Sequence, residues 1–212
     1  MEFKDLKLNK PLVKTLIEKG YDRPTLVQQK TIPLVLEGKD VITSAQTGTG
    51  KTAAFALPIL QQLFDKQDPS KKGRKVRALV VSPTRELAIQ IEENFKLYAE
   101  KTILRTAVVF GGIAIDPQKK MLDEGVDILI ATPGRLLDLH KQELVNLSFI
   151  ETLVLDEADL MLDMGFIDDV KKIERLCPED KQTLLFSATM PHKVVQLANT
   201  ILKDPETVEV SP

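Results

Sequence analysis

Tryptophan is absent from this chain, cysteine occurs once, histidine twice, and aromatic residues make up only 5% of its 212 positions. A single thiol, Cys177, rules out a disulfide framework, and none is needed: at about this length roughly 70% of the unfolded surface can be buried by one core. Cys177 precedes Pro178 in a polar stretch with no basic partner nearby in sequence, so it reads as an incidental thiol in a loop rather than a nucleophile. His140 and His192 stand alone, without the spacing of metal ligands. No apolar run approaches the roughly 20 residues that span a bilayer. The stretch from Met1 to Lys10 lacks the apolar core of a secretory signal. The expectation is a soluble, cytoplasmic, monomeric chain with no membrane partner. Charge of one sign is also lacking: 29 Lys and Arg against 31 Asp and Glu give a net charge of -2. Any binding to a polyanion must therefore come from a local surface. With 43% hydrophobic and 28% charged residues, the composition is that of an ordinary globular domain.

Short apolar runs recur along the chain: Val41 to Thr43, Ala78 to Val81, Ala107 to Phe110, Ile128 to Ile130, Thr152 to Leu155, Thr183 to Phe186 and Val208 to Val210. Their length and β-branched content suit strands buried on both faces. Between them Thr52 to Phe64, Arg85 to Ala99, Arg135 to His140 and Lys193 to Ile201 repeat apolar residues at helical spacing. This alternation predicts an α/β fold, a mostly parallel central sheet with helices on both faces. Residues 1 to 40 read as helices packed before the first strand, with Pro24 at a helix start and Gly38 after its end. Asp65 to Lys75, with Pro69, Gly73 and the cations Lys66, Lys71, Lys72, Arg74 and Lys75, reads as a solvated loop.

Two motifs carry chemistry. Ala45-Gln46-Thr47-Gly48-Thr49-Gly50-Lys51-Thr52 follows a buried strand and opens a helix, the context a phosphate-binding loop requires. Gly48 and Gly50 let successive amides turn toward one anion, and the helix start adds its positive end. Lys51 is placed to reach the β and γ phosphates, and the Thr52 hydroxyl to complete the coordination of Mg²⁺. Ala45 stands where the general pattern has glycine, a change a methyl group can survive. Further on, Leu153-Val154-Leu155-Asp156-Glu157 places two carboxylates at the end of an apolar strand. In a parallel sheet that end shares a rim with the phosphate loop, which is where open α/β sheets bind ligands. Asp156 is suited to hold the metal with Thr52, and Glu157 to orient or deprotonate an attacking water. An acidic pair alone more often caps a helix; the upstream phosphate loop reverses that reading.

Asp156-Glu157-Ala158-Asp159 also spells the tetrad that names the DEAD-box RNA helicases, and further stretches resemble that family in the same order. Gly20 to Gln28, with Phe3 upstream, resembles its adenine-reading Q motif. Pro83-Thr84-Arg85-Glu86-Leu87, Gly111-Gly112 and Thr132-Pro133-Gly134-Arg135 resemble its RNA-contacting segments. Ser187-Ala188-Thr189 resembles the motif that couples hydrolysis to strand separation. The similarity runs from Phe3 to about Val210, and Val108 to Gly112 and Leu162 to Phe166 most resemble bacterial RhlE-like members.

The resemblance implies a RecA-like P-loop NTPase domain over residues 41 to 212, with residues 1 to 40 as the Q-motif region, using ATP and Mg²⁺ and binding RNA. It implies that Gln28 reads the adenine edge, with Tyr21, Arg23 and Thr25 beside it, and that Phe3 stacks on the purine. Thr84, Arg85, Gly112, Thr132, Gly134 and Arg135 suit a sugar-phosphate backbone rather than base edges, so binding should be independent of sequence. Ser187 and Thr189 join the catalytic group. Two positions depart from the usual pattern: Leu160 where many relatives carry Arg, and Val27 for the commoner Ile.

The family's motor has a second RecA-like domain with an arginine finger, and no counterpart is present here. The chain is expected to end where the interdomain linker would begin, to bind adenine nucleotide, and to hydrolyse it very slowly. Two other readings remain open at this point: another P-loop ATPase or small-molecule kinase without a nucleic-acid partner, and a noncatalytic module that clamps RNA or a protein.

Overall fold

The apolar runs become strands because both faces of the sheet are covered. The computed structural model describes residues 1–46, 48–66 and 74–210. A short 3-10 turn, Phe3–Leu6, precedes helices α1 (Lys10–Glu18) and α2 (Leu26–Leu36). Then follow β1 (Val41–Ser44), α3 (Lys51–Asp65), β2 (Ala78–Val81), α4 (Arg85–Tyr98), β3 (Thr106–Val109), α5 (Asp116–Glu124) and β4 (Ile128–Ala131). The remainder is α6 (Pro133–Lys141), β5 (Thr152–Leu155), α7 (Ala158–Asp163), α8 (Ile167–Leu176), β6 (Gln182–Ser187), α9 (His192–Ile201) and β7 (Glu206–Glu209). The seven strands lie in the order β3-β4-β2-β5-β6-β1-β7, and every pair is parallel.

Successive strand residues point to opposite faces, so one sheet organises two cores. Val80, Ile130, Val154, Leu184 and Phe186 face the core beneath α1 to α4, where Phe55 lies 5.1 Å from Phe186 and 6.1 Å from Phe95 between ring centroids. Val81, Leu129, Leu153, Leu155 and Leu185 face the second, against α6, α8 and α9. Each fully buried Leu, Ile or Phe contributes about 1.5–3 kcal/mol, and this apolar burial drives the fold.

All seven expected strands are present. The last runs over Glu206–Glu209 instead of Val208 to Val210, because this edge strand buries only Val208 and its register follows β1. Helices α5, α7 and α8 were not anticipated. In α8 the buried Val170 and Ile173 sit three residues apart, a legible amphipathic signal. In α5 the residue buried is polar, Gln118, so no apolar stripe announces the helix. Pro24 precedes the helix boundary instead of occupying its first turn: Thr25 is the N-cap of α2 and forms a capping box with Gln28.

Cys177 is not in an open loop. It caps α8, is buried in the second core, and burial pushes its thiol up to about 12, which leaves it unreactive. Of the basic stretch 65–75, residues 67–73 lie outside the described part of the chain. Its flanks do contact the protein. Lys66 pairs with Glu151 at 3.2 Å, Arg74 pairs with the buried Asp127 at 2.6 Å, and Lys75 sits 5.5 Å from the centroid of Phe149. Among the described residues, no helix is long and apolar enough to cross a membrane.

Candidate functional site

The carboxyl rim of the sheet divides into two halves. Strands β5, β6 and β1 are adjacent and end at Asp156, Ser187 and the phosphate loop; β3, β4 and β2 are adjacent and end at Gly111, Thr132 and Pro83. The halves meet where Asp156 donates its amide to the Val81 carbonyl at 3.0 Å.

In the first half, the loop after β1 leads into α3. Ala45 is buried and donates its amide to Ser187 O at 3.1 Å, and Thr49 bonds Gln46 O at 2.7 Å. Gly48 is exposed, Thr52 half-buried, and Thr47 lies outside the described residues. Gly50 is the N-cap of α3 with φ +84, and a Cβ there would stand 2.5 Å from Gln28 Nε2 and 2.9 Å from Thr25 Oγ1. Both the left-handed backbone and the close approach require glycine at this position.

Lys51, the first residue of α3, is buried, and its ammonium lies 3.1 Å from Asp156 Oδ1 while also bonding Glu157. Asp156 Oδ1 has no aligned hydrogen-bond partner among the described residues, so the Lys51 contact is an ion pair by distance only. Burial works against the Lys51 charge, but the two carboxylates outweigh it and hold the ammonium above its ordinary value. Burial likewise pushes the Asp156 carboxyl up; Lys51 pulls it down and Glu157 pushes it up again. Glu157 occupies the left-handed region at φ 56, ψ 50, unusual for a residue with a long side chain, which turns the chain sharply from strand to helix.

Gln28 locks α2 onto this loop. Its Oε1 accepts from the Thr25 amide at 3.0 Å and its Nε2 donates to Gly50 O at 3.0 Å. Tyr21 and Arg23 are exposed on the approach to α2, and Tyr21 meets Tyr98 edge-on at 6.2 Å. Phe3, expected to offer its ring to a purine, is 4% exposed and sits in the first core with Leu6 and Leu12. The position serves packing, because the 3-10 turn directs Phe3 and Leu6 inward together.

Asp159 and the segment after β6 form one hydrogen-bonded cluster. Ser187 Oγ accepts from the Asp159 amide at 3.1 Å and donates to Thr189 O at 2.6 Å. Thr189 donates to Asp159 Oδ2 from both amide and hydroxyl. Burial alone would raise Asp159, but the bonds from Thr189 and the Leu160 amide outweigh it and hold the carboxyl below its ordinary value.

In the second half, Pro83 is buried and Thr84 caps α4, accepting from the Leu87 amide at 3.2 Å. Arg85 is exposed, its guanidinium 4.8 Å from the Phe110 ring centroid. Gly111, Gly112 and Gly134 are exposed, and Gly112 has φ +84. Thr132 is the N-cap residue of α6 and Pro133 its first residue. Arg135 is not a free cation: it donates to Gln118 Oε1 at 3.0 Å and to Ile113 O at 2.9 Å. Gln118, which sequence reading passed over, also donates to Phe110 O at 3.0 Å. A cavity of about 710 Å³ beside Arg105 and one of about 700 Å³ beside His140 contain none of these residues.

A family model described as DEAD/DEAH box helicase matches residues 25–197. The chain belongs to that family. Among curated DEAD-box relatives, an ATP-dependent RNA helicase CshA from Limosilactobacillus reuteri is 48% identical over 210 residues, 99% of this chain and 41% of the relative. An ATP-dependent RNA helicase RhlB from Pasteurella multocida is 45% identical over 214 residues, 100% of this chain and 50% of the relative. The solved structure of a DEAD box protein from the hyperthermophile Methanococcus jannaschii superposes with a TM-score of 0.92 at 38% identity, covering 100% of this chain and 56% of that one. The chain therefore spans about half, or less, of the length of these relatives. The fold is the family's RecA-like domain.

Proposed function

We propose that this chain is the ATP-binding and RNA-backbone-binding first half of an ATP-dependent RNA helicase. In this reading residues 41–212 form the first RecA-like domain and residues 1–40 the Q-motif region packed against it, with a second RecA-like domain supplied by the same full-length protein. The approach of Lys51 to Asp156, 3.1 Å between residues from two separate strand-to-helix junctions, carries the reading.

The residues present fit a magnesium nucleotide. A buried lysine beginning a helix, a hydroxyl at Thr52 and a buried carboxylate whose Oδ1 is held only by the Lys51 ion pair form the donor set a hard cation with phosphates asks for. Mg²⁺, when bound, supplies neutralisation of phosphate charge. Lys51 would bind terminal phosphates, Thr52 and Asp156 would hold the metal, and the N-terminus of α3 would add its positive end. Glu157 orients or accepts a proton from water. Gln28, joined to Gly50, links recognition of the base to the shape of the phosphate loop. Asp159, Ser187 and Thr189 tie the acidic strand end to the end of β6.

The other half of the rim, Pro83 to Arg85, Gly111, Gly112 and Thr132 to Arg135, takes the RNA backbone without regard to sequence. Closure of the second domain would bend the bound strand, with α6 as the wedge, and separate a duplex locally. Alone, the domain lacks the arginine finger, worth roughly 10³ to 10⁵ in turnover in comparable enzymes, so it should hydrolyse ATP very slowly. The protein acts in the cytoplasm and this chain is a monomer in this reading.

The test is nucleotide binding by titration calorimetry with ADP and GDP, for the chain as it stands and for Gln28→Ala. We expect an adenine preference that Gln28→Ala removes. Equal binding of ADP and GDP by the unaltered chain would overturn the reading.

A further inference from the structure

Helix α5 is exposed along most of its length, yet Gln118 on it is 2% exposed, and it is the helix's buried residue. A buried amide is tolerated only when its donors and acceptor find partners. Here both ends do, and the partners come from different parts of the rim. Nε2 donates to the carbonyl of Phe110, which follows β3; Oε1 accepts from the guanidinium of Arg135, which lies in the first turn of α6. The amide has one consistent orientation, since flipping it would set its NH₂ against the guanidinium and its carbonyl against another carbonyl.

The chain of contacts continues on both sides. Arg135 donates a second bond to Ile113 O, so the stretch from Phe110 to Ile113, containing Gly111 and Gly112, is held at both ends. The Phe110 ring in turn carries the Arg85 guanidinium, from the start of α4. One buried side chain thus joins the three strand ends of the second half of the rim: those of β4 and β3 directly, and that of β2 through Phe110. Two glycines in an exposed loop would otherwise leave its backbone free to sample many conformations.

We propose that Gln118 is a positioning residue for RNA-backbone binding: it holds the Gly111-Gly112 loop and Arg135 as one preformed surface. Arg135 then acts by fixing the Ile113 carbonyl, and Arg85 is the cation of this corner that answers to phosphate charge. The inference rests on the reading of this rim as the RNA-facing one. Preorganisation of this kind removes the ordering cost of a loop and a long side chain from the binding step.

The experiment measures binding of a fluorescently labelled oligouridylate to the 212-residue chain across a salt series, for Gln118→Met, Gln118→Ala, Arg135→Ala, Arg85→Ala and the Gln118→Met/Arg135→Ala pair. Gln118→Met keeps the volume and lacks the polar partners, which guards against loss through a cavity. We expect Gln118→Met to weaken binding about five- to tenfold at every salt concentration with the salt slope unchanged. Arg85→Ala should reduce the slope. The pair should lose little more than Arg135→Ala alone, because Gln118 works through Arg135. Amide exchange at Gly111 to Ile113 should quicken in Gln118→Met. Unaltered RNA affinity in Gln118→Met alongside a loss in Arg85→Ala would overturn this inference and leave the RNA reading standing. If the chain shows no salt-dependent binding and Arg85→Ala changes nothing, the RNA reading itself fails, and this inference with it.

Discussion

Thr189 donates to Asp159 Oδ2 twice, from its hydroxyl at 2.8 Å and its amide at 3.0 Å, joining the acidic tetrad to the segment after β6. These bonds hold the Asp159 carboxyl below its ordinary value of 3.8 in spite of partial burial. A carboxyl depressed on folding contributes stability that is present above the unfolded value and fades as pH falls through the folded one. Asp159→Ala should therefore be less stable than the unaltered chain at pH 7, by about 1 kcal/mol for partly exposed bonds. The two unfolding midpoints should converge as pH drops below 3.8. A difference that persists undiminished at the acid end of a urea-unfolding series would falsify the assignment.

Lys51 carries the opposite sign. With its ammonium removed, Asp156 and Glu157 face each other across a buried corner with no cation. The Asp156 carboxyl, already pushed up by burial, rises further. A carboxyl raised on folding supports the fold below its unfolded value and loses that support as pH rises through the folded value. Lys51→Ala should accordingly be destabilised at pH 7 by roughly 3 kcal/mol and regain stability as pH is lowered. Thermal melts across a descending pH series, without nucleotide, check this: a flat difference between variant and unaltered chain sinks the account. Binding of ADP with magnesium should fall below detection in the same variant.

Gly48 and Gly50 both have positive φ, 86 and 84, but only the second is crowded. An added Cβ at Gly48 meets nothing within 4 Å, so Gly48→Ala should cost about 1 kcal/mol, the backbone term alone. At Gly50 the same methyl meets the Gln28 amide and the Thr25 hydroxyl, which must move away, and Gln28 loses its bond to Gly50 O. Gly50→Ala should cost about 2–3 kcal/mol and also lose the adenine preference. The ordering of the two denaturation midpoints is the measurement, and equal losses would contradict the latch between Gln28 and the loop.

Much of the fold was legible in the chain. Ala78 to Val81 and Thr152 to Leu155 are short, β-branched and bounded, and they fold as β2 and β5 within the expected limits. Where the expectation missed, a physical cause is visible. Helix α5 buries Gln118 in place of an apolar stripe, and an amide on a charged helix gives no periodic signal. Cys177 was read as a loop residue because its neighbours are polar, yet it closes α8 beneath the second core. Phe3 was assigned to a ligand from motif order, and its packing in the first core with Leu6 was not visible in the sequence. Arg135 was read as a cation suited to a sugar-phosphate backbone, and its hydrogen bonds to Gln118 and Ile113 could not be seen in the sequence.

The sequence by itself determined the strands, the phosphate loop, the acidic strand end and the family, because those are local matters: apolar period, glycine placement and motif order are written in neighbouring residues. Tertiary structure alone decided the order β3-β4-β2-β5-β6-β1-β7, which sorts one continuous rim into a half ending at Asp156, Ser187 and Lys51 and a half ending at Arg85, Gly112 and Arg135. Strand order depends on which buried faces match once helices cross over, a balance struck among residues far apart in the chain. That same distant matching brought Gln118 beneath Arg135.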